Sequence, residues 1–107
     1  MKLTIILSTK HPETNWNALR LANLGIHKGD TVSVFLIGKG VEYDKENSGQ
    51  FNVKEQVDKF LQSKNASIIA CETCMNIRNQ KDSKECPAGG IEDLYNLIIE
   101  SDKVITF

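Results

Sequence analysis

Short apolar segments alternate with longer amphipathic ones along the whole of this 107-residue chain. The short segments are rich in β-branched residues, which suits strands buried on both faces of a sheet. The longer segments repeat apolar residues at helical spacing. Because strands that alternate with helices form mostly parallel sheets, we predict a three-layer α/β/α fold with about four to five strands. The length predicts a single domain over residues 1–107.

The predicted elements follow the order β-α-β-α-β-α-α-β. The predicted strands cover residues 2–7, 31–37, 66–71 and 103–107. The predicted helices cover residues 12–27, 53–64, a short segment from Cys74 to Arg78, and 91–100. Residues 41–51, with a short extended piece at 41–43, and residues 79–90 are polar and are predicted to be loops. Functional groups of open α/β sheets collect at the carboxyl ends of the strands, so that edge is where a site is expected.

Charge and hydropathy argue against several classes of partner. Thirteen basic and fourteen acidic residues give a net charge of −1, without the basic excess of a nucleic-acid-binding protein or a polybasic membrane anchor. The apolar run at residues 3–7 is shorter than a signal peptide or a membrane span requires. We therefore expect a cytoplasmic protein with no nucleic-acid or membrane partner. Structural disulfides are uncommon in that compartment, and three cysteines cannot all pair within one chain.

Two of the three cysteines form a Cys-x-x-Cys motif where the third predicted strand gives way to a helix. Cys71 would end the strand, Thr73 could cap the helix, and Cys74 would occupy its first turn. The N-terminus of a helix favours a thiolate, and Arg78 would lie one turn further along the same face. Glu72 acts in the opposite direction, because a nearby carboxylate disfavours a thiolate. On balance Cys74, rather than Cys71, is expected to be the reactive thiol.

The third cysteine, Cys86, falls in the polar loop just before Pro87. A loop of this composition could close over Cys74, so that Cys86 acts as a resolving thiol or accepts sulfur from it. Structural interpretations remain open for both additional cysteines. Cys71 could simply be a small apolar residue of the core, and Cys86 an incidental loop thiol.

Two other interpretations of the cysteines have to be weighed. A zinc site normally needs four ligands, so three thiolates would require His11 or His27 as well, and no metal is predicted. His11 is expected to cap or solvate its loop rather than to act in catalysis. A thioredoxin-like site would follow an early strand, whereas this motif follows the third one. A binding module with structural or metal-bound thiols and a small thiol–disulfide protein both remain alternatives.

Three segments of the chain, taken in order, resemble the DsrE/DsrF-like family of small sulfur-relay proteins. They are "NALRLANLGIHKGDTVSVFLIGKGVEYDK", "IIACETCMNIR" and "CPAGGIEDLYNLIIESDKVITF". The last resembles the ending of a prokaryotic, especially archaeal, subgroup. By position, Cys74 matches the relay cysteine that precedes a helix and an arginine, here Arg78, while Cys71 and Cys86 match the subgroup's additional cysteines. Glu72 departs from the pattern, because a small residue is expected there.

The resemblance implies both a fold and an activity. It implies a three-layer α/β/α fold with flavodoxin-like winding and a cytosolic homo-oligomer, with a trimer favoured and a dimer or hexamer also consistent. It further implies that the chain binds or transfers sulfur as a cysteine persulfide, between a donor and an acceptor protein and without an organic cofactor. Whether the chain is an enzyme stays open; if active, it would be a sulfurtransferase-like persulfide carrier. Fold alone does not establish that activity.

Overall fold

Five parallel strands and four α-helices make up the computed structural model, which describes residues 1–107. The strands are β1 (Lys2–Leu7), β2 (Thr31–Leu36), β3 (Ala66–Cys71), β4 (Ala88–Gly89) and β5 (Lys103–Thr106). The helices are α1 (Pro12–His27), α2 (Val53–Phe60), α3 (Glu72–Ile77) and α4 (Ile91–Glu100), and a 3₁₀ helix covers Gly38–Glu42. Even the longest helix, the 16-residue α1, lacks the length and apolar character needed to cross a membrane.

The strand order in the sheet is β4-β3-β2-β1-β5, and every pair of neighbours is parallel. The chain winds outward from β1 to β4 and then returns to place β5 on the other side of β1. α1 and α2 pack against each other on one side of the sheet, and α4 contacts β1 and β4 on the other. The predicted three-layer α/β/α class is confirmed. The strand order differs from the flavodoxin-like order, in which β1 lies between β2 and β3.

The core forms where the three central strands meet α1 and α2. Its fully buried side chains include Ile5, Leu7, Val32, Val34, Phe35, Leu19, Val53, Val57 and Phe60. Burying each of the larger ones stabilises the fold by about 1.5–3 kcal/mol relative to exposing it. The side chain of His11 caps α1 by accepting a hydrogen bond from the backbone N–H of Thr14 at 3.4 Å. The capping role expected for His11 is therefore confirmed.

Several predicted boundaries were wrong, chiefly because turns close the elements early. β2 ends one residue sooner, at Leu36, and β5 ends at Thr106. α2 ends at Phe60, because residues 61–65 form turns that return the chain to the sheet. α3 runs directly on from β3, so it covers Glu72–Ile77 rather than 74–78.

The two predicted loops contain regular structure that the sequence pattern did not indicate. Residues 41–43 were predicted to be extended, but the first two belong to the 3₁₀ helix and Tyr43 is its C-cap. Val41 and Tyr43 are buried against the core, which favours this conformation. Within residues 79–90, the short strand β4 pairs with the end of β3, and the backbone N–H of Ala70 donates to Pro87 at 2.9 Å. Two residues are too few to show a periodicity, so only the tertiary pairing reveals β4.

Two glycines bring the 3₁₀ helix against the carboxyl edge of the sheet. Gly38 has a φ of 57°, a left-handed conformation that glycine adopts without the steric cost paid by other residues. A Cβ atom on Gly40 would overlap the carbonyl group of Leu7 at the end of β1. The 3₁₀ helix can therefore lie directly beside the strand ends, where the cysteine motif is also found.

Candidate functional site

The cysteine motif lies where β3 passes without a break into α3. Cys71 is both the last residue of β3 and the N-cap of α3, and Cys74 is the third residue of the helix. Thr73, expected as the cap, instead lies inside the first turn and is exposed. That expectation was wrong because the helix begins two residues earlier than predicted. The placement of Cys74 in the first turn is nevertheless as the sequence indicated.

The sulfur of Cys74 accepts a hydrogen bond from the backbone N–H of Gly38 at 3.2 Å. Gly38 follows β2, which is the neighbour of β3, so the contact joins the carboxyl ends of two adjacent strands. Cys74 is half-buried, which leaves part of its side chain open to solvent. A hydrogen bond to sulfur favours the charged form of the thiol. The contact therefore provides a group that could stabilise a Cys74 thiolate.

Cys71 occupies a less favourable environment for ionisation. Its side chain is buried, and this burial raises the pKa of the Cys71 thiol above its ordinary value. The adjacent sulfur of Cys74 adds to the rise, while the backbone N–H groups of Cys74 and Thr73 oppose part of it. Cys71 is therefore held as a neutral thiol next to the more accessible Cys74. The reactive role of Cys74 itself stays a prediction.

Arg78 supports the backbone of the motif. Its Nη1 donates to the carbonyl oxygen of Cys74 at 3.0 Å, and its Nε donates to Oε1 of Glu42 at 2.7 Å. Glu42 also accepts a salt bridge from Lys45 at 3.0 Å. The hydrogen bond from Lys45, followed by the one from Arg78, lowers the pKa of the Glu42 carboxyl group. Glu42 and Arg78 thus connect the 3₁₀ helix, which begins with Gly38, to α3, which carries Cys74.

Cys86 is placed differently from the exposed, mobile thiol that its polar segment suggested. It is buried, and its thiol donates a hydrogen bond to the hydroxyl group of Tyr43 at 3.6 Å. Burial raises the pKa of both side chains, so both are neutral near neutral pH. Cys86 lines a cavity of about 300 Å³ together with Tyr43, Met75 and Gln80. A role of Cys86 as a resolving thiol would therefore require its segment to open.

The cysteines do not come together as a metal site. All three are free thiols, and no group of three His, Cys, Asp or Glu side chains is arranged to hold a metal ion. His11, considered as a fourth ligand, is engaged as the cap of α1. His27 ends α1, which runs back from the carboxyl edge of the sheet, so it lies away from the motif. The zinc alternative therefore lacks a ligand set.

Sequence reasoning missed the residues that contact the motif from the neighbouring strand. Gly38 lies 36 positions before Cys74, Glu42 lies 36 positions before Arg78, and Tyr43 lies 43 positions before Cys86. The available signal was the "GKG" turn after the second strand, because adjacent parallel strands end at the same edge of the sheet. By itself the turn carries no specific signal, because two glycines after a strand are only part of a nucleotide-binding fingerprint.

Comparisons with known proteins agree with this architecture. A model of the DsrE/DsrF-like family matches residues 1–107. The chain is 31% identical to "Uncharacterized protein MK0008" of Methanopyrus kandleri, covering 98% of this chain and 93% of that one. It is 29% identical to "Uncharacterized protein MJ0989" of Methanocaldococcus jannaschii over the full length of both. The crystal structure of the ychN protein from E. coli shares the fold with a TM-score of 0.83, 22% identity and full coverage of both chains.

Proposed function

The chain belongs to the DsrE/DsrF-like family, and on that premise we propose that it is a small sulfur carrier that holds sulfur as a persulfide on Cys74. The observation that carries the proposal is the hydrogen bond from the Gly38 N–H to the Cys74 sulfur. A donor of this kind stabilises negative charge on sulfur, and the thiolate is the nucleophile in sulfur exchange. The partial exposure of Cys74 leaves it accessible to a donor protein.

The proposed transfer needs no oxidant. The Cys74 thiolate attacks the outer sulfur of a persulfide on the donor protein, the donor's sulfur–sulfur bond breaks, and the donor cysteine leaves as a thiolate. Cys74 then carries the transferred sulfur through a new sulfur–sulfur bond. A thiolate of the acceptor protein attacks that outer sulfur in turn and releases Cys74 as a thiolate. The number of sulfur atoms and of electrons is balanced in both steps, so no organic cofactor enters the scheme.

The surroundings of Cys74 are suited to this cycle of bond making and breaking. Arg78 holds the carbonyl group of Cys74 and is itself held by Glu42, so the backbone of the carrier residue has a fixed position. Cys71, with its raised pKa and its buried side chain, is a poor competitor with the more exposed Cys74 for the incoming sulfur. If no acceptor arrived, Cys71 could attack the inner sulfur of a persulfide on Cys74, which would form a Cys71–Cys74 disulfide and release the outer sulfur as hydrosulfide.

That last possibility defines the second candidate function, a thiol–disulfide protein. Cys71 and Cys74 are the N-cap and third residues of one helix, and Cys74 is close enough to contribute to the raised pKa of Cys71. Residues three apart at a helix start lie on one face, so a disulfide between these two is a candidate product. We rank this candidate second because both thiols are free and Cys71 is buried.

Mass spectrometry of the intact protein tests the carrier function. After incubation with a persulfide donor and removal of excess reagent, the parent protein is expected to gain the mass of one sulfur atom. Cys74→Ser should gain none, whereas Cys86→Ser, which removes a buried thiol, should gain as much as the parent. Equal sulfur gain by Cys74→Ser and the parent would exclude Cys74 as the carrier. Loss of two hydrogens instead of a gain of sulfur would favour the thiol–disulfide function.

We also propose that the chain associates with further copies of itself through the outer surface of α4. Ile91, Tyr95 and Ile99 are 69%, 63% and 61% exposed there, and Ile98 is 43% exposed, although Leu94 faces the core. These side chains recur at helical spacing on one face of α4 and form an exposed apolar patch, the kind of surface that marks an interaction site. A second copy of the chain supplies an equally apolar surface.

A further inference from the structure

A polar groove lies between α1 and α2 on the outside of the molecule. It encloses about 330 Å³. Its lining consists of Arg20, Asn23, Leu24, His27, Gln56 and Lys59. The four residues from α1 recur at helical spacing on one face of that helix, and the two from α2 are three residues apart. Five of the six side chains carry hydrogen-bond donors, of which the amide of Asn23 is already engaged by Gln56, and none is a carboxylate.

The basic side chains of the groove are not neutralised by neighbours. Arg20, His27 and Lys59 form no salt bridge, although the chain as a whole carries a net charge of −1. The concentration of basic groups is therefore local and does not follow from the composition. Convergent donors without a carboxylate produce a positive potential that attracts anions.

The groove is held in shape before any ligand arrives. The guanidinium group of Arg20 lies 4.5 Å from the centre of the Trp16 ring, and its Nη1 donates to Oδ1 of Asn17 at 3.1 Å. The side-chain amide of Asn23 donates to the backbone oxygen and to Oε1 of Gln56, at 3.1 and 3.0 Å. The second pair joins α1 to α2, so the groove has a fixed width. Preorganised donors lose less entropy when they bind a ligand.

We propose that this groove binds a phosphate group, either as the free inorganic anion or as the terminal group of a small phosphate monoester. The planar fork of Arg20 suits two oxygens of a tetrahedral anion, and Lys59 supplies a point charge from the opposite helix. The imidazole of His27 adds a third donor at the end of α1. Because α1 runs away from the carboxyl edge of the sheet, this site is separate from Cys74. The proposal is independent of sulfur transfer.

The only tryptophan of the chain provides the readout, because Trp16 stacks against Arg20. Inorganic phosphate should change Trp16 fluorescence along a saturable curve at constant ionic strength, and sodium chloride alone should not. Arg20→Gln and Lys59→Gln should each weaken binding by about tenfold or more, the range expected for one charge-assisted hydrogen bond. Lys64→Gln, which removes the same charge from an exposed turn beyond α2, should change the affinity for phosphate less than twofold.

Two results would overturn the proposal. One is a response to phosphate that does not saturate or that chloride reproduces; the other is an equal loss of affinity in Lys64→Gln and Lys59→Gln. If Arg20→Gln disturbs the fold, Lys59→Gln alone carries the test, because Lys59 is exposed and makes no salt bridge. A parallel titration with glycerol phosphate distinguishes a phosphate monoester from inorganic phosphate as the ligand of the groove. Tighter binding than that of inorganic phosphate indicates a monoester, and weaker binding indicates the free anion.

Discussion

The backbone N–H of Gly38 donates a hydrogen bond to the sulfur of Cys74 at 3.2 Å, across the carboxyl ends of two adjacent strands. This contact depends on backbone conformation alone, because Gly38 has no side chain and adopts a φ of 57°. The environment of the thiol can therefore be altered from the neighbouring strand without changing any group on α3. Gly38 is for this reason the most direct position at which to test how the site works.

Replacing Gly38 with alanine is expected to slow the reaction of Cys74 with iodoacetamide at neutral pH by about two- to tenfold, the value of one hydrogen bond. An alanine Cβ is strained at this φ, so the N–H should turn away from the sulfur. Peptide mapping after timed alkylation measures the rate at Cys74 alone. Gly49→Ala is the matched control, because nothing lies within 4 Å of a Cβ there and its φ is ordinary. Unchanged rates in Gly38→Ala would show that the hydrogen bond does not activate the thiol.

Glu42→Gln is expected to destabilise the folded protein at neutral pH but not in acid. The folded-state pKa of Glu42 lies below its ordinary value of 4.5, chiefly because of Lys45 and then Arg78. Its ionised form therefore adds stability above about that pH, and this stability is lost as the pH falls through the lowered pKa. Urea denaturation of the parent and variant at neutral pH and in acid, at a pH below the lowered pKa of Glu42, measures the difference.

The control for this experiment is Glu100→Gln, which removes an exposed carboxylate that forms no salt bridge. Its midpoint in urea should follow that of the parent at both pH values. A difference between Glu42→Gln and the parent that stays the same in acid would mean that the charge of Glu42 is not what stabilises the connection to Arg78.

Much of the fold could be predicted because the sequence patterns of its strands and helices are local. The apolar runs that became β1 and β3, and the periodic segments that became α1 and α4, matched the structure residue for residue. The position of Cys74 in the first turn of a helix followed from the same pattern. The pattern alone predicted a reactive thiol and left its role open among several interpretations, and the family resemblance then favoured sulfur transfer.

What could not be predicted depends on contacts between distant parts of the chain. The donor to Cys74, the N–H of Gly38, begins the 3₁₀ helix after the neighbouring strand and is 36 residues away. Cys86 lies in a segment of polar composition, yet β4 and the contact with Tyr43, 43 residues away, bury it. Sequence composition describes a segment's average environment, whereas one thiol within it can still be covered by the fold.

The burial of Cys86 predicts an order of labelling among the three thiols. In a short pulse of N-ethylmaleimide at neutral pH, Cys74 should react first, because burial raises the pKa of both Cys71 and Cys86. In urea the three cysteines should react at similar rates. Mass spectrometry of the digested protein measures each site. Rapid native labelling of Cys86 would instead show that its segment opens readily, which would restore the resolving role predicted from sequence.

If copies of the chain associate through α4, introducing charged side chains on its outer surface should dissociate them. The parent is expected to have a mass in solution that is a multiple of 12.0 kDa, and Tyr95→Lys combined with Ile99→Lys should reduce it to one chain. Both side chains are more than 60% exposed within a single copy, so lysines there should leave its fold intact. Light scattering after size-exclusion chromatography measures the mass. Ile77→Lys on α3, an equally exposed apolar residue, should leave the assembly unchanged. A parent protein that is monomeric at high concentration, or equal dissociation by Ile77→Lys, would exclude α4 as the specific interface.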